Sequence, residues 1–483
     1  MDNVVLISYF ISLTILFIFG LHGFIMIYYY NKYKNVKCTP KYDISPNSTV
    51  TIQLPLYNEL YVVERLINAV CEIDYPKDKM EIQVLDDSTD ETVQITARVV
   101  EEKRKAGFDI KQVRRNSREG FKAGALKEGM KTAKGEFIAI FDADFIPQKE
   151  FLKKTLAFFT DEKVGMVQTR WEHINGDYSI LTRAQALALD GHFVIEQTVR
   201  NKAGFFINFN GTGGVWRKNC IVDAGNWDGD TLTEDLDLSY RAQLNGWKFV
   251  YLKDFTSPAE LPSEINALKS QQFRWTKGAI ETAKKILPLV WKSKIPFRVK
   301  VQSTFHLTNN IVFPFILLAA ILNVPLIFIK NSGPHHVYFA MMSIFVLAFI
   351  GSFIFYLYSQ KDIRTDWRKK IVLFPLFMAG SMGFAVNNSR AVFEGLMNRK
   401  SEFVRTPKFK VVSEKDSWIG KKYTNKKLGF SVYVELIMAI YCLIGVASSI
   451  YFLEIAALPF QILFFLGFSF VSLTSIKHAF SKA

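Results

Sequence analysis

Apolar residues crowd into long runs at the two ends of this 483-residue chain, with a mixed, charged stretch between them. In lipid, backbone polar groups must pair internally, so an apolar run of this length is built as a helix. The chain therefore combines membrane helices with a separately folded region. The first run, Val4 to Tyr30, is long enough to span a bilayer. No basic segment precedes it and no small-residue cleavage site follows, so a retained helix is expected, not a signal peptide. Further spans are expected at 309–329, 337–358, 431–452 and 457–477. A fifth apolar stretch, 371–388, has basic loops on both sides and reads as re-entrant or interfacial.

The net charge of +15 is explained by the same architecture. Lys32, Lys34, Lys37 and Lys41 follow the first span, and Lys361, Arg364, Arg368, Lys369 and Lys370 follow the third. Ten more Lys and Arg lie between Arg399 and Lys427. Basic residues stay on the cytoplasmic side, so the expected topology is five spans, N-terminus outside and C-terminus inside. Six spans would put the basic segment 389–430 outside. The expected partner of this charge is the lipid bilayer, and no nucleic acid is expected. Cys38, Cys71, Cys220 and Cys442 form no CxxC, so no disulfide framework or zinc site is expected, only buried free thiols.

From Thr49 to Lys253 the pattern alternates strand, loop and helix, which predicts an α/β region with a mostly parallel sheet. Strands are expected at 50–54 (VTIQL), 82–85 (IQVL) and 137–141 (FIAIF). Ser88 with Glu91 three later reads as a capping box. Segment 263–308 carries Trp275, Trp291 and Phe297 among lysines and arginines, as amphipathic interface helices do.

Ligands of an open parallel sheet bind at the carboxyl ends of its strands. The three strands run into LPLYNE (54–59), DDSTDET (86–92) and DADF (142–145). Asp142 and Asp144 stand two apart, and carboxylates that close repel unless a cation joins them. A hard divalent ion, Mg2+ or Mn2+, with bound phosphates would satisfy them. No GxGxxG follows these strands and no GxxxxGK[ST] occurs, which disfavours dinucleotide and P-loop chemistry. Lys122 opens a helix at 120–126 (GFKAGAL), a suitable partner for a diphosphate. Segment 210–217 (NGTGGVWR), with Gly213 and Gly214, permits close backbone approach to a ligand. In TEDLD (233–237), beside Glu234, Asp235 is the candidate general base, because a sugar hydroxyl is a poor nucleophile until its proton leaves. In QQFRW (271–275), Arg274 suits a leaving diphosphate and Trp275 a sugar ring.

Together with LPSEINALKSQQFRW and RAVFEGLMNRKSEFVRTPKF (390–409), these segments resemble the family-2 glycosyltransferases over about Thr51 to Lys408. The likeness is to their processive branch, in particular the cellulose-synthase-like A and C synthases of β-mannan and β-glucan and their bacterial relatives. The resemblance implies a cytoplasmic GT-A-like domain at 45–262, interface helices at 263–308, a gating-like segment at 359–430, and membrane helices at 1–30, 309–358 and 431–477. It implies that Asp86 and Asp87 match the motif whose acid contacts the nucleotide base. Asp142 and Asp144 match the acids that bind the metal and nucleotide-sugar, and Lys122 the lysine near the diphosphate. Asp235 matches the base, with Glu234, Gly213, Gly214, Gln271 and Trp275 toward the acceptor and Arg274 toward the leaving group. Phe403, Thr406 and Lys408 match a gating-loop motif, although Arg405 stands where bacterial cellulose synthase has Val.

The implied reaction is metal-dependent inverting transfer from UDP-glucose or GDP-mannose, which builds a β-linked polysaccharide. Transfer of one sugar to a lipid-phosphate acceptor is the alternative, and a non-catalytic scaffold or export channel is a third. A bacterial inner membrane is the expected site, or a Golgi membrane if the chain is eukaryotic.

Overall fold

The structure is a computed structural model that describes residues 2–36, 38–40, 48–401, 403–424 and 428–481. Lys37, Lys41 and Lys427 of the basic runs, residues 45–47 of the expected soluble domain, and residue 402 lie outside the described residues.

Among the described residues, seven strands form one sheet in the order β3-β2-β1-β4-β6-β5-β7. They are β1 Val50–Leu56, β2 Met80–Asp86, β3 Asp109–Val113, β4 Phe137–Ile140, β5 Val164–His173, β6 Gly214–Arg217 and β7 Lys248–Ala259. β1 pairs in parallel with β2 and β4, β2 with β3, and β5 with β7, while β6 runs antiparallel between β4 and β5. The sheet is thus mostly parallel, as expected. All seven residues of β2 and all four of β4 are buried, which explains why they read as continuous apolar runs. One apolar layer, with Leu54, Leu66, Val84 and Phe151, covers one face. A second, with Leu126, Ile138, Met166 and Trp216, covers the other.

Two local expectations fail. The helix after β2 starts at Thr92, with Glu91 at its N-cap and no side-chain cap. Ser88 Oγ instead accepts from Asn58 N at 2.8 Å, tying the ends of β1 and β2 together. The free thiols are not all buried: Cys38 is exposed and Cys71 half-buried. Cys38 follows the first apolar helix, outside any core.

Among the described residues, five helices are long and apolar enough to cross a membrane: Asp2–Tyr33, Phe297–Ser332, His336–Ile363, Phe430–Tyr451 and Leu458–Phe480. The stretch 371–388 falls in the pair Trp367–Gly383 and Ala385–Leu396, bent by 46°, which would make a sixth span if the pair counts as one. Helix Ile265–Lys292 lies between these elements and the sheet. Its Lys269 is buried against Glu435 of Phe430–Tyr451 at 2.7 Å. A buried ion pair contributes little net stability, but removing one partner strands the other charge. We predict that Glu435→Ala costs about 3–5 kcal/mol, whereas Lys269→Met with Glu435→Met costs far less. Thermal unfolding in one detergent checks both.

Candidate functional site

A cavity of about 210 Å³ opens at the carboxyl ends of β1 and β4. Each side of it comes from a different part of the chain. The loops that leave β1, β2 and β4 supply Glu59, Asp87, Asp142 and Asp144, helix Phe121–Thr132 supplies Lys122, and the first turn of helix Glu234–Leu244 brings Glu234 and Asp235. Helix Ile265–Lys292 adds Gln271, Arg274 and Trp275, and segment 403–408 adds Phe403, Arg405, Thr406 and Lys408.

Adjacent residues at a strand end face opposite ways, and Asp86 and Asp87 diverge accordingly. Asp87 lines the cavity and is gripped by Arg115, whose Nε donates to Oδ1 at 3.0 Å and whose Nη2 donates to Oδ2. Asp86 does not line it. Its Oδ1 accepts from Ser88 N at 2.9 Å and its Oδ2 from Gln112 Nε2 at 2.7 Å, so it holds the turn. Next to Asp87, the Arg118 guanidinium lies 3.3 Å from the centre of the Tyr57 ring.

Lys122 Nζ donates to Asp142 Oδ1 at 2.5 Å and to the Gly211 carbonyl at 2.9 Å. Burial opposes its charge, but Asp142, Glu234 and Asp235 outweigh that and raise its pKa. Its helix begins at Gly120, whose φ of +66° is left-handed and suits glycine. Asp144 meets Lys408 Nζ at 2.5 Å. Burial, and then the Asp144 charge, raise the Asp142 carboxyl despite Lys122.

Thr233 makes no cap, since its hydroxyl pairs with that of Thr282 at 3.0 Å. Burial and then the neighbouring Glu234 push Asp235 up to about 8. Gly211 lies directly against it: a Cβ there would stand 3.1 Å from Asp235 Oδ2 and 3.4 Å from Lys122 Nζ, at a φ of +79°. This glycine, not the expected pair, lets the backbone approach the reacting groups. Gly213 and Gly214 stand behind the wall and do not line the cavity. The Gly213 carbonyl accepts from Thr169 Oγ1 at 2.7 Å, and a Cβ on Gly214 would meet the Val167 carbonyl at 2.6 Å, so both serve strand packing.

Arg274 Nη2 donates to Thr406 Oγ1 at 2.6 Å, and its guanidinium lies 4.4 Å from the centre of the Phe403 ring. Burial lowers its pKa to about 10. Arg405 pairs with Glu59 at 3.2 Å and lies 4.0 Å from the Tyr423 ring centre. Burial pushes Glu59 up to about 8, against the pull of Arg405. Tyr57, Glu59, Arg118, Asn210 and Gly211 line the cavity but were not singled out in the sequence. LPLYNE holds Tyr57 and Glu59, and NGTGGVWR holds Asn210 and Gly211, so Arg118 alone of these lies outside the segments that the sequence marked. Asp228, Asp230 and Asp237 also cluster, but Lys285 pairs with all three at 2.9–3.1 Å, so an ammonium already holds that group.

Asp235 and Glu59 hold protons in the folded state up to about pH 8, against about 4 for an unfolded carboxyl. A raised folded pKa stabilises fully below the unfolded value, and that stabilisation is lost as pH rises through the folded one. Asp235 is partly open to the cavity, so solvent screening tempers its share. The thermal midpoint of the ligand-free protein should fall between about pH 4 and 8 and level off above that, and it should fall more shallowly in Asp235→Asn and Glu59→Gln.

Residues 46–278 match the family model described as glycosyltransferase like family 2. A probable glucomannan 4-beta-mannosyltransferase 7 from Oryza sativa is 44% identical over 275 residues, 55% of this chain and 47% of the relative. A glucomannan 4-beta-mannosyltransferase 2 from Arabidopsis thaliana is 37% identical over 68% of this chain and 65% of its own length. A probable glucomannan 4-beta-mannosyltransferase 2 from Oryza sativa is 34% identical over 82% of this chain and 68% of its own length. The chain spans about half the length of several of these curated relatives. Among solved structures, a mannosyltransferase from Pyrobaculum calidifontis in complex with GDP-Man and Mn2+ superposes with a TM-score of 0.57. At 18% identity, over 82% of this chain and all of that one, it shares the fold. Sheet, membrane helices and relatives agree: the chain belongs to family 2 of the glycosyltransferases, in its cellulose synthase-like branch.

Proposed function

We propose that this chain is a membrane-bound glycosyltransferase that builds a β-linked mannan-type polysaccharide from GDP-mannose. The observation that carries the reaction is the half-buried Asp235 in one cavity with Lys122, Asp142 and Asp144. Sequence left GDP-mannose and UDP-glucose open. The names of the plant relatives, and the GDP-Man bound by the Pyrobaculum calidifontis mannosyltransferase, support the mannose donor. These relatives lend no support to a bacterial inner membrane. The basic residues beside the spans support a cytoplasmic catalytic region.

Asp142 and Asp144 fit a divalent ion: both line one cavity, and the lysines beside them meet Asp142 at Oδ1 and Asp144 at Oδ2, which leaves each carboxylate a second oxygen to offer. They would hold Mg2+ or Mn2+, which would neutralise the diphosphate and ease departure of the sugar bond. Asp87, Tyr57 and Arg118 form the place for the base. Lys122 and Arg274 face the charge that develops on the leaving diphosphate. In its ionised form Asp235 takes the proton from the acceptor hydroxyl as the hydroxyl oxygen bonds to the anomeric carbon. The bond from that carbon to the diphosphate breaks, and the electron pair leaves with the nucleotide. Attack from the opposite face turns an α-linked donor into a β-linked product. Gln271 and Trp275 support the acceptor, and Phe403, Thr406 and Lys408 close the cavity as a gating-like loop.

The second reading, one sugar passed to a lipid phosphate, is favoured by a separate cavity of about 540 Å³ among the membrane helices. Its walls include Leu13, Phe17, Ile316 and Phe349. Purified protein in nanodiscs, given labelled GDP-mannose or UDP-glucose with Mg2+ or Mn2+, separates the two. A long product digested by β-mannanase supports the synthase, and a single lipid-soluble sugar supports the alternative. EDTA should abolish transfer.

Asp235→Asn should lower turnover by about 10²–10⁴-fold. Nucleotide binding by calorimetry should stay within a few-fold of wild type. Normal polymerisation by the Asn variant would remove Asp235 from the role of base.

A further inference from the structure

Between helices Ile180–Asp190 and Gln197–Lys202 the chain makes one wide π-turn, Gly191–Glu196. Such turns are uncommon and often stand at functional sites. A Cβ on Gly191 would lie 2.5 Å from the Tyr356 ring, so a membrane helix packs directly onto this turn. The turn carries His192, which the reaction above does not use. His192 Nδ1 lies 2.9 Å from Glu196 Oε2, and Nε2 lies 3.1 Å from Asn210 Oδ1. Glu196 and Asn210 thus hold the ring from its two nitrogens. Burial pushes Glu196 up, but the hydrogen bond and charge of His192 outweigh it and hold the carboxyl well below its usual range.

Asn210 is the link to the site. It lines the catalytic cavity, next to the Gly211 that touches Asp235. Its Oδ1 is held by two donors, His192 Nε2 and Asn208 Nδ2, the latter at 2.8 Å. Its Nδ2 is buried and has no hydrogen-bond partner. A buried donor left unpaired costs about 1–3 kcal/mol unless something accepts from it. With the oxygen fixed on one side, the amide NH2 is the part left for a ligand. Because Asp235 must reach the acceptor hydroxyl, the ligand group beside it is an oxygen of the acceptor sugar.

We propose that His192, braced by Glu196, is a positioning residue that turns the Asn210 amide so that its NH2 holds an acceptor-sugar oxygen next to Asp235. This assignment rests on the transferase reading above. Glu196 also lines the cavity among the membrane helices, so the brace forms part of the wall between the two cavities.

The test uses the full chain in nanodiscs, with GDP-mannose as donor and a manno-oligosaccharide acceptor. Asn210→Asp keeps an oxygen for both donors and loses only the NH2. It should raise the acceptor KM about tenfold with the donor KM unchanged. His192→Leu should do the same, and His192→Gln, which keeps one donor, should recover part of the loss. The double variant should be no worse than either single one, because both act through one amide. An unchanged acceptor KM in Asn210→Asp, or additive losses in the double variant, would overturn the proposal. Should His192→Leu fail to fold, Asn210→Asp decides alone. Absence of transfer by the wild type from either donor would sink the transferase reading and this proposal with it. Wild-type transfer with indifferent variants sinks only this one.

Discussion

The site depends on carboxylates at the carboxyl edge of the sheet, each answered by a cation from another segment of the chain. Asp87 has Arg115, Asp142 has Lys122, Asp144 has Lys408 and Glu59 has Arg405. Four acids brought so close would force the edge apart without them. Two of the cations ride on segment 403–408, about 260 residues or more after the strands that carry the acids. The pairing therefore neutralises the acids and fastens the loop across the cavity. Phe409 N, donating to Glu260 Oε1 at 3.0 Å, continues the seam.

A second set of buried pairs joins the catalytic region to the membrane helices. Lys277, fully buried on helix Ile265–Lys292, lies 3.5 Å from Glu394 and donates to Ser401 Oγ at 2.7 Å. Lys269 on the same helix meets Glu435. That helix also carries Arg274 and Trp275, so these pairs set the height of both side chains relative to Asp235. Buried pairs contribute little net stability and a good deal of specificity of position, which is what a displacement reaction between two sugars requires.

Much of the fold was legible in the sequence because burial leaves a periodic trace. β1, β2 and β4 are covered on both faces and read as short apolar runs. β3 and β7 were not legible: DIKQV and KFVYLKDFTSPA mix charged and apolar residues, as strands near the sheet edge do. The carboxylates were legible because they follow strands, and ligands gather where parallel strands end.

What the sequence determined by itself was the inventory: membrane helices by length, a mostly parallel sheet by alternation, and acids and basic residues of the right kinds at strand ends. Tertiary structure decided which member of each group acts. Asp87 faces the cavity and Asp86 the turn, because side chains alternate along a strand. Gly211 approaches Asp235, while Gly213 and Gly214 pack the sheet, because the Thr169 hydroxyl and the Val167 carbonyl of β5 claim that stretch. Arg405, a departure from the resembled motif, finds Glu59, and His192 finds Asn210. Such pairings depend on distances between elements far apart in the chain, and side-chain spacing along one element carries no record of them.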